Sequence, residues 1–230
     1  MAKKSDTVVI SVGGSLIVPD SIDEKFLKNF KKVILKHTRR GTKFVIITGG
    51  GKTCRNYQNA ANKVTKLTDN DLDWLGIHTT RLNAHLMRAI FYKEAHPVIV
   101  KNPKSNINAN AKIIIAAGWK PGWSTDYDAV LIAKNIGATK VVNLSNINYV
   151  YTKDPKKYKD AKIIKSINWT DFRKLLPKKW DPGLNSPFDP IAAREAEKIG
   201  LEVAIINGKK LGEFEKYLSG KAFSGTIIRG

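Results

Sequence analysis

Cysteine is almost absent from this sequence, which has one, Cys54, in 230 residues. One cysteine forms no internal disulfide, so the chain is expected in a reducing compartment, the cytoplasm. Long apolar runs are also absent, because no stretch approaches the ~18 uninterrupted apolar residues that a membrane helix needs. The apolar residues 8–10 are interrupted by Gly13-Gly14, with no small-residue cleavage site after them, which argues against a signal peptide. We therefore expect a soluble protein without a membrane partner.

Negative charge is scarce. The 20 Asp and Glu residues stand against 40 Lys and Arg residues, which gives a formal net charge of +20. Strongly basic chains often bind nucleic acid. Here the excess is mostly lysine spread along the chain, and arginine, the better reader of bases, is scarce. This distribution favours general lysine-rich usage and small anionic substrates, so we expect no polynucleotide partner.

Several well-known site motifs are missing as well. The four histidines show no zinc-ligand spacing, so we expect no metal held by protein ligands. Neither the GxxxxGK[ST] phosphate loop nor the GxGxxG dinucleotide fingerprint occurs. The chain has 42% hydrophobic residues, which is enough for one sizeable α/β core or two tightly joined lobes.

The hydrophobic pattern alternates between short apolar runs and amphipathic stretches, which is typical of a mainly parallel sheet covered on both faces by helices. After Leu144 the pattern loosens into a hairpin-like segment at 149–162 and a Pro/Gly-rich loop at 177–187. Strands are predicted at 7–12, 44–48, 98–101, 112–116, 140–143, 201–206 and 225–228. Helices are predicted at 21–37, 52–64, 72–92, 126–136, 169–176 and 190–199.

Two glycine-rich turns follow the first two strands: Gly13-Gly14-Ser15, and Gly49-Gly50-Gly51-Lys52. Ligands of an open parallel sheet bind outside the carboxyl ends of its strands. Glycine lets the backbone approach a phosphate, and the N–H groups of a helix's first turn can donate to it. Either turn alone also fits an ordinary strand-to-helix connection. Two of them at consecutive strand ends favour phosphate binding.

Arg55 lies four residues after the last glycine, on the first turn of the predicted helix. Its guanidinium is able to form two parallel hydrogen bonds to a phosphate held by the turn. A solvated surface arginine is the alternative, and the adjacent glycines favour the phosphate role.

The two turns belong to a longer ordered series of motifs. They are followed by GIHTTRLNA at 76–84, PGWSTD at 121–126, NINYVYTKDP at 146–155, FDPIAA at 188–193 and GTII at 225–228. In this order the motifs resemble the uridylate kinases of the amino-acid kinase superfamily, especially the archaeal type. The resemblance spans nearly the whole chain.

The resemblance implies a central, mainly parallel sheet of about eight strands between helical layers, the amino-acid kinase (carbamate kinase-like) fold. It implies one domain over 1–230, in which a lobe at about 1–137 binds UMP and a lobe at about 138–230 binds ATP. The implied reaction is transfer of the γ-phosphate of ATP to UMP with Mg²⁺. A homo-oligomer, commonly a hexamer among such kinases, is also implied.

On the acceptor side, the resemblance assigns Asp73 to the ribose hydroxyls of UMP. A helix cap is the alternative role, although Asp71 fits a cap better. Asp126 is implied to be catalytic, organising positive groups around the transferred phosphoryl group. Thr125 with Asp128 also satisfies a capping box. The predicted UMP-binding residues are Gly50, Arg55, Asp73, Gly122, Trp123, Ser124, Thr125 and Asp126.

On the donor side, the resemblance places Tyr151 against the base of ATP and Asp154 on its ribose or Mg²⁺ side. A plain β-turn is the alternative for this segment, since Asn and Asp-Pro are turn formers. Asp189-Pro190 reads only as a helix N-cap and first helical residue. The predicted ATP-binding residues are Gly13, Gly14, Ser15, Gly51, Arg55, Ser145, Asn146, Tyr151 and Asp154.

Four features depart from the family's pattern. Many relatives carry a lysine two residues before the first loop glycine, where it bridges the β- and γ-phosphates, but this chain has Ser11. Lys52 is the nearest replacement and is assigned a catalytic role, with a helix-surface lysine as the alternative. Asn148-Tyr149 replaces Asp-Gly, which predicts a left-handed Asn148. Trp123 replaces a histidine, and the loop at 180–185 is unlike the common one.

Three other functions stay open at this point. The first is a kinase of the same superfamily that acts on a carboxylate, carbamate or isoprenoid phosphate, which Asp73 and Arg55 disfavour. The second is a nonenzymatic anion-binding protein on this fold, which the missing lysine keeps open. The third is a polynucleotide-binding protein, which the scattered lysines disfavour.

Overall fold

The computed structural model describes residues 7–107, 111–177 and 186–230, so most of the predicted loop at 177–187 lies outside the described residues. None of the described helices is both long and apolar enough to cross a bilayer. The elements in chain order are β1 (Thr7–Val12), α1 (Gly14–Ile17), α2 (Glu24–Thr38), β2 (Lys43–Thr48), α3 (Gly51–Val64), α4 (Asp69–Ile90), β3 (Ile113–Ala116), α5 (Thr125–Ile136), β4 (Lys140–Ser145), β5 (Val150–Tyr151), β6 (Ile163–Ile164), β7 (Ser166–Ile167), α6 (Trp169–Leu175), α7 (Pro190–Lys198), β8 (Glu202–Asn207), α8 (Leu211–Leu218) and β9 (Thr226–Ile228).

Seven strands form one sheet in the order β3-β2-β1-β4-β8-β9-β7, and β5 pairs with β6 in a separate antiparallel hairpin. All neighbours in the large sheet are parallel except β8 and β9. One apolar cluster packs α1, α2, α4 and α8 against one face of the sheet. A second cluster packs α5, α6 and α7 against the other face. The predicted α/β class, with a mainly parallel sheet between helical layers, is confirmed.

The sheet has seven described strands, where about eight were predicted. The predicted strand at 98–101 is wrong, because this segment makes only an isolated bridge between Val100 and Ala116. It runs beside β3 at the edge of the sheet, Pro97 just before it has no N–H to donate, and Val98 is 64% exposed. The elements α1 and β7 were not predicted, because four-residue and two-residue segments are too short to show a period. The eight-residue helix α8 was also missed.

Two helix starts also differ from prediction. Thr68 is the N-cap of α4, and Asp71 completes the capping box from the third helical position. Ser124 is the N-cap of α5, where its side chain accepts a hydrogen bond from the Tyr127 N–H. The predictions of Asp71 as cap and of a box begun by Thr125 are therefore wrong. Thr68 and Ser124 have the extended backbone that a capping residue needs, whereas Thr125 is already helical.

Asn148 does not adopt the predicted left-handed conformation, since every positive φ angle in the described chain belongs to glycine. Four residues, 146–149, connect β4 to β5, so no tight two-residue turn is needed. The side-chain oxygen of Asn148 instead accepts a hydrogen bond of 3.0 Å from the Asn207 amide. This bond ties the connection to the end of β8.

The two glycine-rich turns pack directly against each other, backbone against backbone. A Cβ atom on Gly14 would lie 2.0 Å from the nitrogen of Gly51 and 2.6 Å from the carbonyl carbon of Gly49. A Cβ on Gly51, whose φ is +68°, would lie 2.4 Å from the Gly14 oxygen. Neither position accepts a side chain, so these glycines are required by the fold whether or not a ligand is bound.

Gly14→Ala should therefore destabilise the protein by about 1–3 kcal/mol, because the new methyl group meets backbone atoms that no rotamer change can move. Gly212→Ala is the matched control, since a Cβ on Gly212, in α8, meets nothing within 4 Å. That change should stabilise α8 by roughly 0.5–1 kcal/mol. Urea unfolding of both variants measures the difference, and equal stabilities would contradict the packing argument.

Candidate active site

The carboxyl ends of β1, β2 and β4 meet at one edge of the sheet, where each strand runs into a predicted site segment. The N–H of Gly13 donates to the Leu144 oxygen at 2.9 Å, and the N–H of Gly49 donates to the Val12 oxygen at 2.9 Å. Gly13-Gly14, Gly49–Gly51 and Ser145 therefore lie side by side. The two turns predicted to bind phosphate are therefore adjacent, and phosphate binding by them stays a prediction.

Backbone N–H groups at this edge remain available for a ligand. Those of Gly14, Ser15 and Gly50 donate to no acceptor among the described residues. The N–H of Lys52, in contrast, donates to the Val18 oxygen at 2.9 Å and holds α1 against α3. Free donors on two touching turns are suited to the oxygens of a phosphate.

Asn83 fixes the shape of the second glycine turn, a role that sequence reasoning missed. The side chain is 4% exposed, and its amide donates to the oxygens of Gly49 at 2.7 Å and Gly50 at 3.2 Å. With their carbonyl groups held on the helix side, the turn residues are fixed in one orientation. The only signal in the sequence was an amide among the buried positions of an amphipathic helix.

Cys54 packs beneath the same turn. A Cβ on Gly50 would lie 2.7 Å from the Cβ of Cys54 and 2.7 Å from Oγ1 of Thr79, so this position also excludes a side chain. Burial raises the pKa of the Cys54 thiol, and a hydrogen bond with Thr79 and the nearby Arg55 guanidinium oppose the rise only partly. The thiol is therefore a packing group and not an activated nucleophile.

Lys52 and Arg55, the two cations predicted to meet phosphate, lie on the first two turns of α3. Lys52 is half-buried and Arg55 is exposed. Neither forms an ion pair with a carboxylate in the described part of the chain. Both therefore lie on the helix that follows the second glycine turn, and no described carboxylate neutralises either charge.

The segment 118–124 connects β3 to α5 and carries three of the eight predicted UMP-binding residues, Gly122, Trp123 and Ser124. Side chains from α4 and α5 accept three of its N–H groups, which fixes its backbone. The bonds run from Gly118 to Thr80 Oγ1 (2.9 Å), from Trp119 to Asp128 Oδ2 (3.0 Å) and from Gly122 to Asp73 Oδ2 (2.6 Å). Asp73 and Gly122, predicted separately, are therefore joined directly.

Aromatic rings and lysines cluster on this segment. The rings of Trp119 and Trp123 meet edge to face with centroids 4.7 Å apart, and Trp123 stacks on Tyr127 at 4.6 Å. The ammonium of Lys120 lies 4.5 and 4.6 Å from the two indole centroids, and that of Lys104 lies 5.6 and 5.9 Å from them. Cation–π attraction holds both lysines near the indoles. Trp123, which replaces a histidine of the relatives, is thus part of a packed cluster.

Asp126 lies on the first turn of α5, above the central strands. The hydroxyl of Ser11 donates to its Oδ1 at 2.9 Å, and the amide of Asn143 is 3.3 Å from both of its carboxylate oxygens. Ser11 and Asn143 are neighbours in the register of β1 and β4. The position at which many relatives carry a lysine therefore faces the predicted catalytic aspartate with a neutral hydroxyl.

Burial raises the pKa of Asp126 to about 6, since its carboxyl group is enclosed by protein. The Ser11 hydroxyl lowers this pKa, and the nearby Asp189 carboxylate raises it. Burial raises the pKa of Asp128 to about 7, and one of its carboxylate oxygens has no hydrogen-bond partner among the described residues. Asp189 caps α7 as predicted, accepting from the N–H groups of Ile191 and Ala192, but it also contributes negative charge to this centre.

The residues predicted to contact ATP follow β4. Ser145 ends the strand, Asn146 is exposed, and Tyr151 is half-buried in β5. Asp154 is exposed, and its side chain accepts from the Lys156 N–H at 2.9 Å, as a turn-forming aspartate does. The turn interpretation therefore describes Asp154 in the structure, and contacts of this segment with a nucleotide stay a prediction.

In the described ranges no group of three or more His, Cys, Asp or Glu residues gathers closely enough to hold a metal ion.

Comparisons with known proteins agree with this architecture. A uridylate kinase of Methanocorpusculum labreanum is 33% identical over 226 residues, which cover 96% of this chain and 94% of that protein. A uridylate kinase of Staphylothermus marinus is 34% identical over 227 residues, covering 97% and 99%. The crystal structure of the uridylate kinase from Archaeoglobus fulgidus has a TM-score of 0.81 at 25% identity, covering 96% of this chain and 99% of that one.

The family model of the amino acid kinase family matches residues 6–207, which is most of the chain. The matched region includes both glycine turns, Asp73, Asp126 and the segment after β4. The chain belongs to the amino acid kinase family.

Proposed function

We propose that this chain is a UMP kinase, a phosphotransferase that moves the γ-phosphate of ATP to UMP in pyrimidine nucleotide biosynthesis. The observation that carries the proposal is the meeting, at one edge of the sheet, of two glycine turns with free N–H groups and the segment 118–126. Full-length similarity to uridylate kinases supports UMP as the acceptor.

In this reaction a phosphate oxygen of UMP, already an anion, attacks the γ-phosphorus of ATP. The bond from the γ-phosphorus to the bridging oxygen breaks, and ADP leaves. No general base is required, so the enzyme's task is to align the two phosphates and to offset their charge. The free N–H groups of the turns, Arg55 and Lys52 supply positive partners. Mg²⁺, which we propose arrives with ATP as part of the substrate, neutralises charge on the phosphate oxygens.

The nucleotide-acceptor proposal is better supported than the alternatives. A carboxylate, carbamate or isoprenoid acceptor has no ribose, and it would leave the Asp73 carboxylate without a substrate partner beside the 118–124 segment. A nonenzymatic anion-binding protein is not favoured either, since the matching relatives are kinases over 94–99% of their length. The lysine-rich surface attracts anionic nucleotides without a polynucleotide partner.

The proposal extends to organisation and location. The single continuous sheet supports one domain, with UMP bound by the part at about 1–137 and ATP by the part at about 138–230. Helix α3 buries only Gly51 and exposes Tyr57 (60%) and Val64 (87%), which supports a homo-oligomer, a hexamer by resemblance to the relatives. We propose the cytoplasm as its location, because the chain has one cysteine.

The purified protein should convert UMP and ATP to UDP and ADP in a reaction that requires Mg²⁺. The test compares UMP, CMP, dUMP and nonnucleotide acids as acceptors, with products separated by chromatography. Asp126→Asn, purified in parallel, controls for contaminating kinases. A folded protein that makes no UDP under these conditions would contradict the proposal.

Asp73→Asn should raise the KM for UMP about tenfold or more while leaving the KM for ATP within about twofold, because the lost contacts lie at a nonreacting ribose. Asparagine keeps an oxygen for the Gly122 N–H, so the backbone of segment 118–124 should persist. Asp69→Asn, an exposed position on the same helix, is the control. Equal damage to both substrates would contradict the ribose assignment.

Lys52→Met should lower kcat about a hundredfold to a thousandfold, since a preorganised charge or donor at the transferring group contributes on the order of 2.7–4 kcal/mol. Methionine keeps the length of the side chain and removes its charge. Lys63→Met, at the exposed far end of α3, is the control, and a thermal melt checks folding. A kcat of Lys52→Met within about threefold of wild type would show that Lys52 is only a helix-surface residue.

A further inference from the structure

Asp126 is surrounded by polar groups that carry no positive charge. Ser11 from β1 and Asn143 from β4 donate to it, and Asp189 faces it from the start of α7. The third strand packed against α5, β2, contributes the apolar Ile47 beside Ser11. No ion pair to Asp126 exists among the described residues, although the chain as a whole carries a net charge of +20.

Ser11 and Asn143 are unusual for the strands they occupy. β1 and β4 run through the centre of the sheet, and their other residues between 8 and 12 and between 141 and 144 are apolar and buried. Ser11 is 3% exposed and Asn143 is 6% exposed. A buried hydroxyl or amide costs free energy unless it is hydrogen-bonded. Asp126 is the side-chain partner of both, across 115 and 17 residues of sequence.

The register explains why both donors reach one carboxylate. Ser11 and Asn143 are paired neighbours on parallel strands, so their side chains leave the same face of the sheet side by side. Helix α5 packs on that face and brings Asp126 over them. The carboxylate is therefore held by donors from two adjacent strands.

We propose that Ser11 and Asn143 are positioning residues that fix the Asp126 carboxylate at the reaction centre in place of a side-chain cation. This inference rests on the proposed function for what Asp126 does, but not for how it is held. Neutral donors orient the carboxylate without cancelling its charge. Burial raises its pKa to about 6, and the Ser11 hydrogen bond lowers this pKa only partly. The ionised form, which the proposed catalytic role requires, is therefore lost as the pH falls through that value.

Removing the Ser11 hydroxyl should raise the pKa of Asp126 further, since this bond favours the ionised form. A hydrogen bond to a charged group of this kind corresponds to a shift of about one pH unit. In Ser11→Ala the acid limb of the kcat profile should move upward by about that amount, with the KM of both substrates within twofold of wild type. Asn143→Ala should shift the limb in the same direction. Ser11→Thr keeps the hydroxyl and should restore the wild-type profile, and Ser166→Ala on exposed β7 should change nothing.

A second measurement reports on Asp126 without any activity. Because its pKa is raised from 3.8 to about 6 on folding, its contribution to stability is complete below pH 3.8 and is lost as the pH rises to about 6. The free energy of unfolding of Asp126→Asn, measured relative to wild type, should therefore increase as the pH rises from 3.8 to about 6, and it should stay constant above that. In the Ser11→Ala background the growth should continue to a pH about one unit higher. Urea unfolding between pH 4 and 8 measures both curves.

The outcomes distinguish a failure of the positioning role from a failure of the proposed UMP kinase function. If the stability curves shift as expected but no variant phosphorylates UMP, the holding of Asp126 is supported and the proposed function fails. If UMP is phosphorylated but neither the pH profile nor the stability curve moves in Ser11→Ala, the positioning role is overturned. A fall in melting temperature without either pH shift also overturns it, because that is the result of lost packing alone.

Discussion

The direct backbone contact between the Gly13-Gly14 turn and the Gly49–Gly51 turn is the constraint on which the candidate site depends. It brings the ends of β1 and β2 and the starts of α1 and α3 within van der Waals distance. Without side chains between them, the turns present free N–H groups side by side, and the helix that carries Lys52 and Arg55 begins directly after the second turn. A bulkier residue in either turn would separate these donors.

Buried polar side chains near this edge serve mainly to orient loops. Asn83 holds the second glycine turn, Thr80 and Asp128 hold the start of segment 118–124, and Asp73 holds its middle. Asn83, Thr80 and Asp128 are buried and would cost free energy in the core without their partners, whereas Asp73 is only half-buried. Their hydrogen bonds form only when the loops adopt this geometry. The bonds that pair these polar side chains therefore also fix the shape of the site.

The electrostatics of the chain differ between its surface and its centre. The net charge of +20 is spread over the surface as lysines and draws anionic substrates toward the protein over a long range. At the centre, burial raises the pKa values of Asp126 and Asp128 to about 6 and about 7, and the Asp189 carboxylate raises each of them further. Surface lysines therefore attract anionic substrates over a long range, and a different set of groups, the buried aspartates, sets the electrostatics of the site.

The sequence by itself determined the features that repeat locally. The alternation of apolar runs and amphipathic stretches indicated the parallel sheet and its two helical layers, since strand and helix periods are properties of neighbouring residues. The glycine turns and Arg55 were predicted because glycines and a cation follow strand ends, and Asp73 because of its place in the family's pattern; their contacts with substrates stay predictions. The Asp189 cap was found because Asp-Pro is a local signal for a helix start.

Only the tertiary structure decided which distant residues meet. Ser11 and Asp126 are 115 residues apart, and Asn83 reaches a turn 34 residues away, so no local period reports either bond. The caps of α4 and α5 were misplaced by one to three residues because several neighbouring side chains were chemically suited to the role and backbone conformation selected among them. Which side chains bond to each other depends on how strands and helices pack, and packing is a property of the whole chain.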